Sequence, residues 1–393
     1  MTLSPNVFRS ARWLMLVAAS LVPVAANAAE LPGAAKVIDA AEYASLQAAL
    51  DAVPAEGGYV RIPPGRFEIS EPLQVRTTDT TIVGAGSATQ LINTNEEGKP
   101  AILVGKPEFA GRATPKAERL WRVELAEMRI LGNEKSGAGI EAHYIEEIFI
   151  HDLSLTEHGS HGILLNHCYE DPRLSDNLLT YNAADGIHLI GCHDIVVSAN
   201  HFEENQTGLR CLDGFNLTMN GNNLDDHLGD GVIIENTYGS VLSGNMIEEC
   251  QGWAIIIDRD CYGITMSANV IAHDFAGGID LRDAHGCAVT GNSFPLVKNA
   301  AVAVRKDSGR IAITGNAFSD SYIGDGKTRR GTESTSLEEN PNEATGILLE
   351  TTSPVAISGN LFSGLKTPPI RSEAERQGDE ANNVLVTDEA DKQ

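Results

Sequence analysis

The feature that most constrains this chain is a repeat. A Gly-aliphatic-x-aliphatic pattern, with Ala for Gly in two copies, begins at Gly139, Gly162, Gly186, Gly208, Gly231, Ala254, Gly278, Ala301 and Gly346. Successive starts are 23, 24, 22, 23, 23, 24, 23 and 45 residues apart. A second element, Asn followed two residues later by Phe, Leu or Ile, runs in phase at Asn177, Asn200, Asn222, Asn245, Asn269, Asn292, Asn316 and Asn360. A period near 23 with three short apolar runs does not fit helical repeats. It suits one coil of three strands and three turns. A single coil cannot bury its apolar residues, but stacked coils can. Stacking also pairs each strand with its equivalents above and below, ~4.8 Å away. The expected fold is therefore all-β: a single-stranded parallel β-helix of three sheets.

Strand alternation sets the orientation of each coil. In Asp185-Gly-Ile-His-Leu-Ile190, Ile187 and Leu189 point inward and His188 and Ile190 outward. The inward pair is aliphatic in the other coils, for example Val232/Ile234, Ile279/Leu281 and Ile347/Leu349. The Asn positions should form a ladder. Each Asn can bond the backbone of its own turn and the Asn of the next coil, satisfying groups that a buried turn would strand.

The ends of such a stack need plugs, because they expose core and strand edges. Residues 41–53 place Tyr43, Leu46, Leu50 and Val53 on one helical face, so a capping helix is expected at the N-terminal end. The β-helix domain with its cap should run over 29–367, followed by an acidic, flexible tail at 368–393. Two insertions interrupt the coils. Residues 106–122 carry Lys106, Arg112, Lys116, Arg119 and Trp121, and residues 321–344 carry Lys327, Arg329 and Arg330. The second leaves the third strand and returns into the first, so it should emerge beside the first-strand face.

Residues 1–28 read as a secretory signal peptide: Arg9 and Arg12, an apolar stretch from Trp13 to Ala25, and the small-x-small site Ala26-Asn27-Ala28. The mature chain is then expected outside the cytoplasm, secreted or periplasmic, with no membrane span. Its removal takes two cations and no acid, moving the formal net charge from −25 to −27. Such a surface repels nucleic acid and anionic lipid. An acidic glycan could bind only where basic residues or a cation are concentrated.

The string Ser45-Leu-Gln-Ala-Ala-Leu-Asp-Ala52, then Gly57-Gly58, then Ile62-Pro-Pro-Gly-Arg-Phe-Glu-Ile69 and Ile82-Val-Gly-Ala-Gly86 resembles the N-terminus of the pectate-lyase-like β-helix superfamily. That group includes mannuronan C5-epimerases and many polysaccharide-active proteins. The resemblance implies a right-handed helix over most of 37–365 and an active site on the first-strand sheet with its entering turns. The epimerases carry Asp-Pro-His-Glu on one first strand. Here the best-matching coil has Leu164 in place of the Asp and Asn166 in place of the His.

Reading the outward positions coil by coil gives two polar clusters. The first is His188 with Arg210 one coil on, ~5 Å away, and Asp185 at the strand entrance. Abstraction of a sugar C5 proton needs a base, here His188, and a positive group to hold the uronate carboxyl, here Arg210. The second stacks Glu235, Asp258, Arg282 and Arg305 in one column, with Asp280 beside them and Trp253 placed to stack on a sugar. Its acids could serve a glycosidase or bind Ca²⁺, and the column is also what a salt-bridge ladder looks like. Asp226 and Asp230, on a turn entering the same sheet, form a further candidate Ca²⁺ site. His158, His161 and His167 form a weaker metal candidate. Of six cysteines, Cys168 and Cys192 should stack on adjacent coils within bonding distance, and Cys211 should point inward. Together these residues point to an acidic polysaccharide as partner and to a lyase or epimerase. A glycoside hydrolase or a non-catalytic carbohydrate-binding β-helix are the alternatives.

Overall fold

The computed structural model describes residues 33–34, 37–106, 114–273, 276–319, 344–365, 367–374 and 378–386. The chain divides into compact units at 1–34 and 35–393, and the architecture below is that of the second. The expected signal peptide, most of the insert 321–344 and residues 387–393 lie outside the described residues. Among the described residues no helix is long and apolar enough to cross a membrane.

Twelve parallel strands form one sheet in strict chain order. They are Leu73–Val75, Ile102–Val104, Ile140–His143, Ile163–Asn166, Asp185–Ile190, Thr207–Leu212, Val232–Glu235, Trp253–Asp258, Gly277–Leu281, Val302–Val304, Ile347–Leu349 and Ile370–Ser372. This front sheet has the register read from the repeat: Ile163, Ile187, Leu209, Val232, Ile255, Ile279, Val302 and Ile347 are successive partners. The other two faces of the coil join into a 25-stranded sheet, because Leu120–Leu131 and Ile145–Thr156 turn the corner between them without breaking.

One left-handed residue per coil makes that corner. It is the residue just before each ladder Asn: Asp176, Ala199, Gly221, Gly244, Ala268, Gly291, Gly315 and Gly359, with φ between 55° and 67°. A Cβ in this conformation costs ~1–2 kcal/mol, which explains why Gly holds five of the eight places. The Asn then turns inward. Asn222, for example, donates from Nδ2 to Val197 O (3.1 Å) and to Asn245 Oδ1 (2.9 Å), and its own Oδ1 accepts from Asn200 N and Nδ2 (3.0 Å each). The ladder runs from Asn177 to Asn360, as expected, and continues to Asn383 at 3.1 Å.

The interior is largely aliphatic. Every inward residue of the front sheet from Ile140 to Leu349 is buried. Late in the stack Phe294, Phe318 and Phe362 lie face to face at 4.9 Å. At the N-terminal end the cap is shorter than expected. A 3-10 turn at Ala40–Glu42 precedes a six-residue helix at Leu46–Asp51, because Ser45 starts a new helix by accepting from Ala48 N (3.1 Å). Leu46 and Leu50 still cover Val60, Ile62 and Leu73.

The tail differs from expectation. Ile370–Ser372 pairs with Ile347–Leu349, Glu380–Ala381 with Ile357–Ser358, and Val384–Val386 with Leu361–Ser363, so strands beyond 367 extend the stack. Acidic composition hides them in the sequence. With no further strand stacked above among the described residues, Val384 and Leu385 stay over half exposed. All six cysteines are buried thiols. Cys168 and Cys192 do stack on adjacent coils, and the Cys168 amide donates to Cys192 Sγ at 3.4 Å. Burial, and after it the neighbouring Cys168 thiol, pushes the Cys192 thiol well above its usual range.

Candidate functional site on the front sheet

The outward face of the front sheet brings His188 and Arg210 side by side as register partners. Asp185 joins them because alternation breaks at Gly186. A Cβ at Gly186 would strike the core ring of Phe202 at 2.8 Å, so this residue points inward like Ile187 after it. The break swings Asp185 outward at the strand entrance. Its Oδ2 lies 2.6 Å from His188 Nδ1, 3.3 Å from His161 Nδ1 and 3.8 Å from Arg210 Nε. Asp185 is only 6% exposed. Burial raises its carboxyl pKa, but the hydrogen bonds and charges of His161 and His188 outweigh this and hold it well below the usual carboxylate range. An ionised Asp185 makes Nδ1 of His188 the protonated nitrogen and leaves the lone pair on Nε2. That is the tautomer a general base requires.

Farther along, the acids are already paired. Glu235 gives one oxygen to Arg210 (2.9 Å) and the other to Arg259 (3.0 Å). Asp280, 2% exposed, gives one oxygen to Arg282 (2.9 Å) and the other to Arg305 (2.6 Å), and Arg305 continues to Glu350 (2.8 Å). The salt-bridge ladder is thus what these residues form. The Asp258 carboxylate accepts from the adjacent Arg259 amide at 2.8 Å. Trp253 lies over Gly277, where a Cβ would meet the indole at 2.3 Å, and Arg305 sits 5.3 Å from the ring centre.

The two acids offered for Ca²⁺ do not come together. Asp226 groups with Asp225 and Glu249, whereas Asp230 accepts from the Trp253 amide at 2.8 Å. His158 turns into the core, where burial lowers its pKa to about 4, and His167 bonds Asn166. Among the described residues, His161, Asp185 and His188 form a mixed donor set within reach of one ion on this face.

A protein-family model described as "Right handed beta helix region" matches residues 161–318. No curated protein sequence matches the chain. Among solved structures, the A-module of mannuronan C-5 epimerase AlgE4 from Azotobacter vinelandii aligns over 89% of this chain and 100% of its own, with TM-score 0.61 and 15% identity. The AlgE6 A-module of the same organism aligns over 88% and 99%, with TM-score 0.57 and 16% identity. The DFA-IIIase of Arthrobacter chlorophenolicus A6, solved with GF2, aligns over 84% and 95%, with TM-score 0.59 and 12% identity. The chain is a right-handed parallel β-helix. At these identities the likeness concerns the fold.

Two groups on this β-helix escaped the sequence reading. The sequence groups His161 with His158 and His167, yet it stands directly before Gly162, as Asp185 does before Gly186. That shared offset from the repeat Gly was the available signal. The other group lies toward the N-terminal end. Arg119 bonds buried Glu146 at 2.6 Å and lies over Tyr169 at 4.6 Å, while His143 bonds Glu141 at 2.6 Å. Arg119 comes from an insertion, so no period places it there.

Proposed function

We propose that this β-helix is an exported lyase or epimerase acting on an acidic polysaccharide laid along the front sheet. His188 Nε2 takes the C5 proton, Asp185 fixes the tautomer of His188, and Arg210 holds the uronate carboxyl as charge develops. The observation that carries this reading is the 2.6 Å contact between His188 Nδ1 and Asp185 Oδ2 beside Arg210 on an outward face. The bond to Glu235 anchors Arg210, and its side chain stays 30% exposed for a substrate carboxylate. Two fold relatives, both mannuronan C-5 epimerase modules, support a carbohydrate substrate. A glycosidase needs a pair of working carboxyls. Both oxygens of Glu235 and of Asp280 are held by arginines, so only Asp258 is left for that role.

The test is incubation with alginate, pectate and glycosaminoglycans. A lyase yields an unsaturated product absorbing in the far ultraviolet. An epimerase exchanges the C5 hydrogen with solvent without cutting the chain. His188→Ala should lower kcat by ~10²–10⁴-fold. Reducing ends without unsaturation or exchange, abolished by Asp258→Ala and untouched by His188→Ala, would overturn the proposal.

A further inference from the structure

We propose that His161, Asp185 and His188 bind one divalent transition-metal ion of the Zn²⁺ class, and that the bound ion disables His188 as a base. The three ligand atoms lie within 4.8 Å of one another. Their arrangement leaves a conflict that a cation resolves. The Asp185 amide faces His161 Nδ1 at 3.2 Å, and Asp185 Oδ2 faces the same nitrogen at 3.3 Å. One ring nitrogen cannot serve both: without a proton it accepts from the amide and opposes the carboxylate, and with one it bonds the carboxylate and opposes the amide. The carboxylate is 6% exposed. A metal ion in the gap would take both lone pairs.

The donor set selects the class of ion. Ca²⁺ wants six or more oxygens, whereas two imidazoles and one carboxylate suit Zn²⁺ or Co²⁺. Ligands around a tetrahedral Zn²⁺ at its usual bond lengths lie ~3.3 Å apart. His161 and Asp185 already have that separation, and His188 must move out from 2.6 Å. Arg210, 3.8 Å from the same oxygen, would repel the ion, but its Nη1 bond to Glu235 gives it a resting place away from the site. Binding through Nδ1 shifts the remaining proton of His188 to Nε2, and Nε2 can then no longer accept one. This loss of activity rests on the reading of His188 as the base, whereas the binding does not.

The test is titration of the full chain with Co²⁺, followed by Zn²⁺. One equivalent of Co²⁺ should give the visible bands of a histidine-ligated ion, and Zn²⁺ should displace it. His161→Ala and His161→Gln, each checked for its native circular dichroism, should weaken binding by ~10²-fold or more, while Glu249→Gln should not. Zn²⁺ should stop polysaccharide turnover in step with occupancy. Absence of Co²⁺ binding, or binding indifferent to both natively folded His161 variants, overturns the metal site. Turnover that persists with Zn²⁺ bound overturns the sharing of His188. A metal-binding protein that turns over no polysaccharide keeps the site and overturns the base.

Discussion

His158 and His227 stand in a column otherwise filled by Asn182 and Asn205, at the turn entering the front sheet. Asn182 Oδ1 accepts from the His158 amide, and the Asn205 amide donates to His227 Nδ1. Each histidine keeps one buried ring nitrogen without a partner. Burial lowers both pKa values to about 4, against small opposing backbone contributions from Ile130 and Asn205. Above pH 6.5 both states of the protein hold these rings neutral. As the pH falls toward 4, the unfolded chain binds protons that the native state refuses, so stability is lost across that window. The loss approaches about 3 kcal/mol per histidine. His227→Asn extends the existing Asn column and should roughly halve the drop in unfolding free energy between pH 7 and pH 4.5, read from urea transitions. An unchanged drop would show that His227 does not set the acid limit. At this same scale the sequence was readable in part. His188 and Arg210 follow from counting outward positions on successive strands, and Asp185 from its place at the entrance of the first. His161 holds the same place one coil earlier, but Leu164 stands on its strand where His188 stands on the next, so no polar outward partner marks it.

Between strands, the element that locks each coil to the next is the corner of one left-handed residue and one Asn. Asn245 donates to Met219 O (3.2 Å) and Asn269 Oδ1 (2.9 Å), and accepts from Asn222 N (3.1 Å) and Nδ2 (2.9 Å). Asn245→Ala leaves buried partners unbonded and should cost about 3 kcal/mol, measured by urea unfolding. Ala268, one residue ahead of the next rung, has φ 55°. Ala268→Gly relieves the Cβ clash and should stabilise by about 1 kcal/mol. A destabilising result there would mean the corner is held by something other than backbone geometry. The repeat made these corners legible because Asn and the residue before it recur in phase. It missed the windings at Leu73–Val75, Ile102–Val104 and Ile370–Ser372, which lack the Gly. Packing of apolar side chains defines those strands, and Gly only marks the turns of the others.

Over the whole molecule, stacking turns sequence distance into position along one wall. Three register steps separate the strand of His188 from that of Trp253, through Arg210, Ile233 and Ile256. At one strand spacing per step the two lie ~14 Å apart along the sheet, and Arg305 stands two windings farther on. The chain carries a formal net charge of −25, and Arg210, Arg259, Arg282 and Arg305 on this face are paired with acids. Affinity for the proposed acidic glycan must therefore accumulate over several windings. A substrate too short to reach Trp253 forgoes the indole and the Arg305 beside it. Turnover should then rise with oligosaccharide length until the chain spans from His188 to Arg305, and level off beyond. Trp253→Ala should raise KM about tenfold for long substrates, the loss of one stacking contact with its desolvation, and leave the shortest active oligosaccharide unaffected. Kinetics on a length series decides it. Equal effects of Trp253→Ala at every length would mean that the glycan does not run along this sheet.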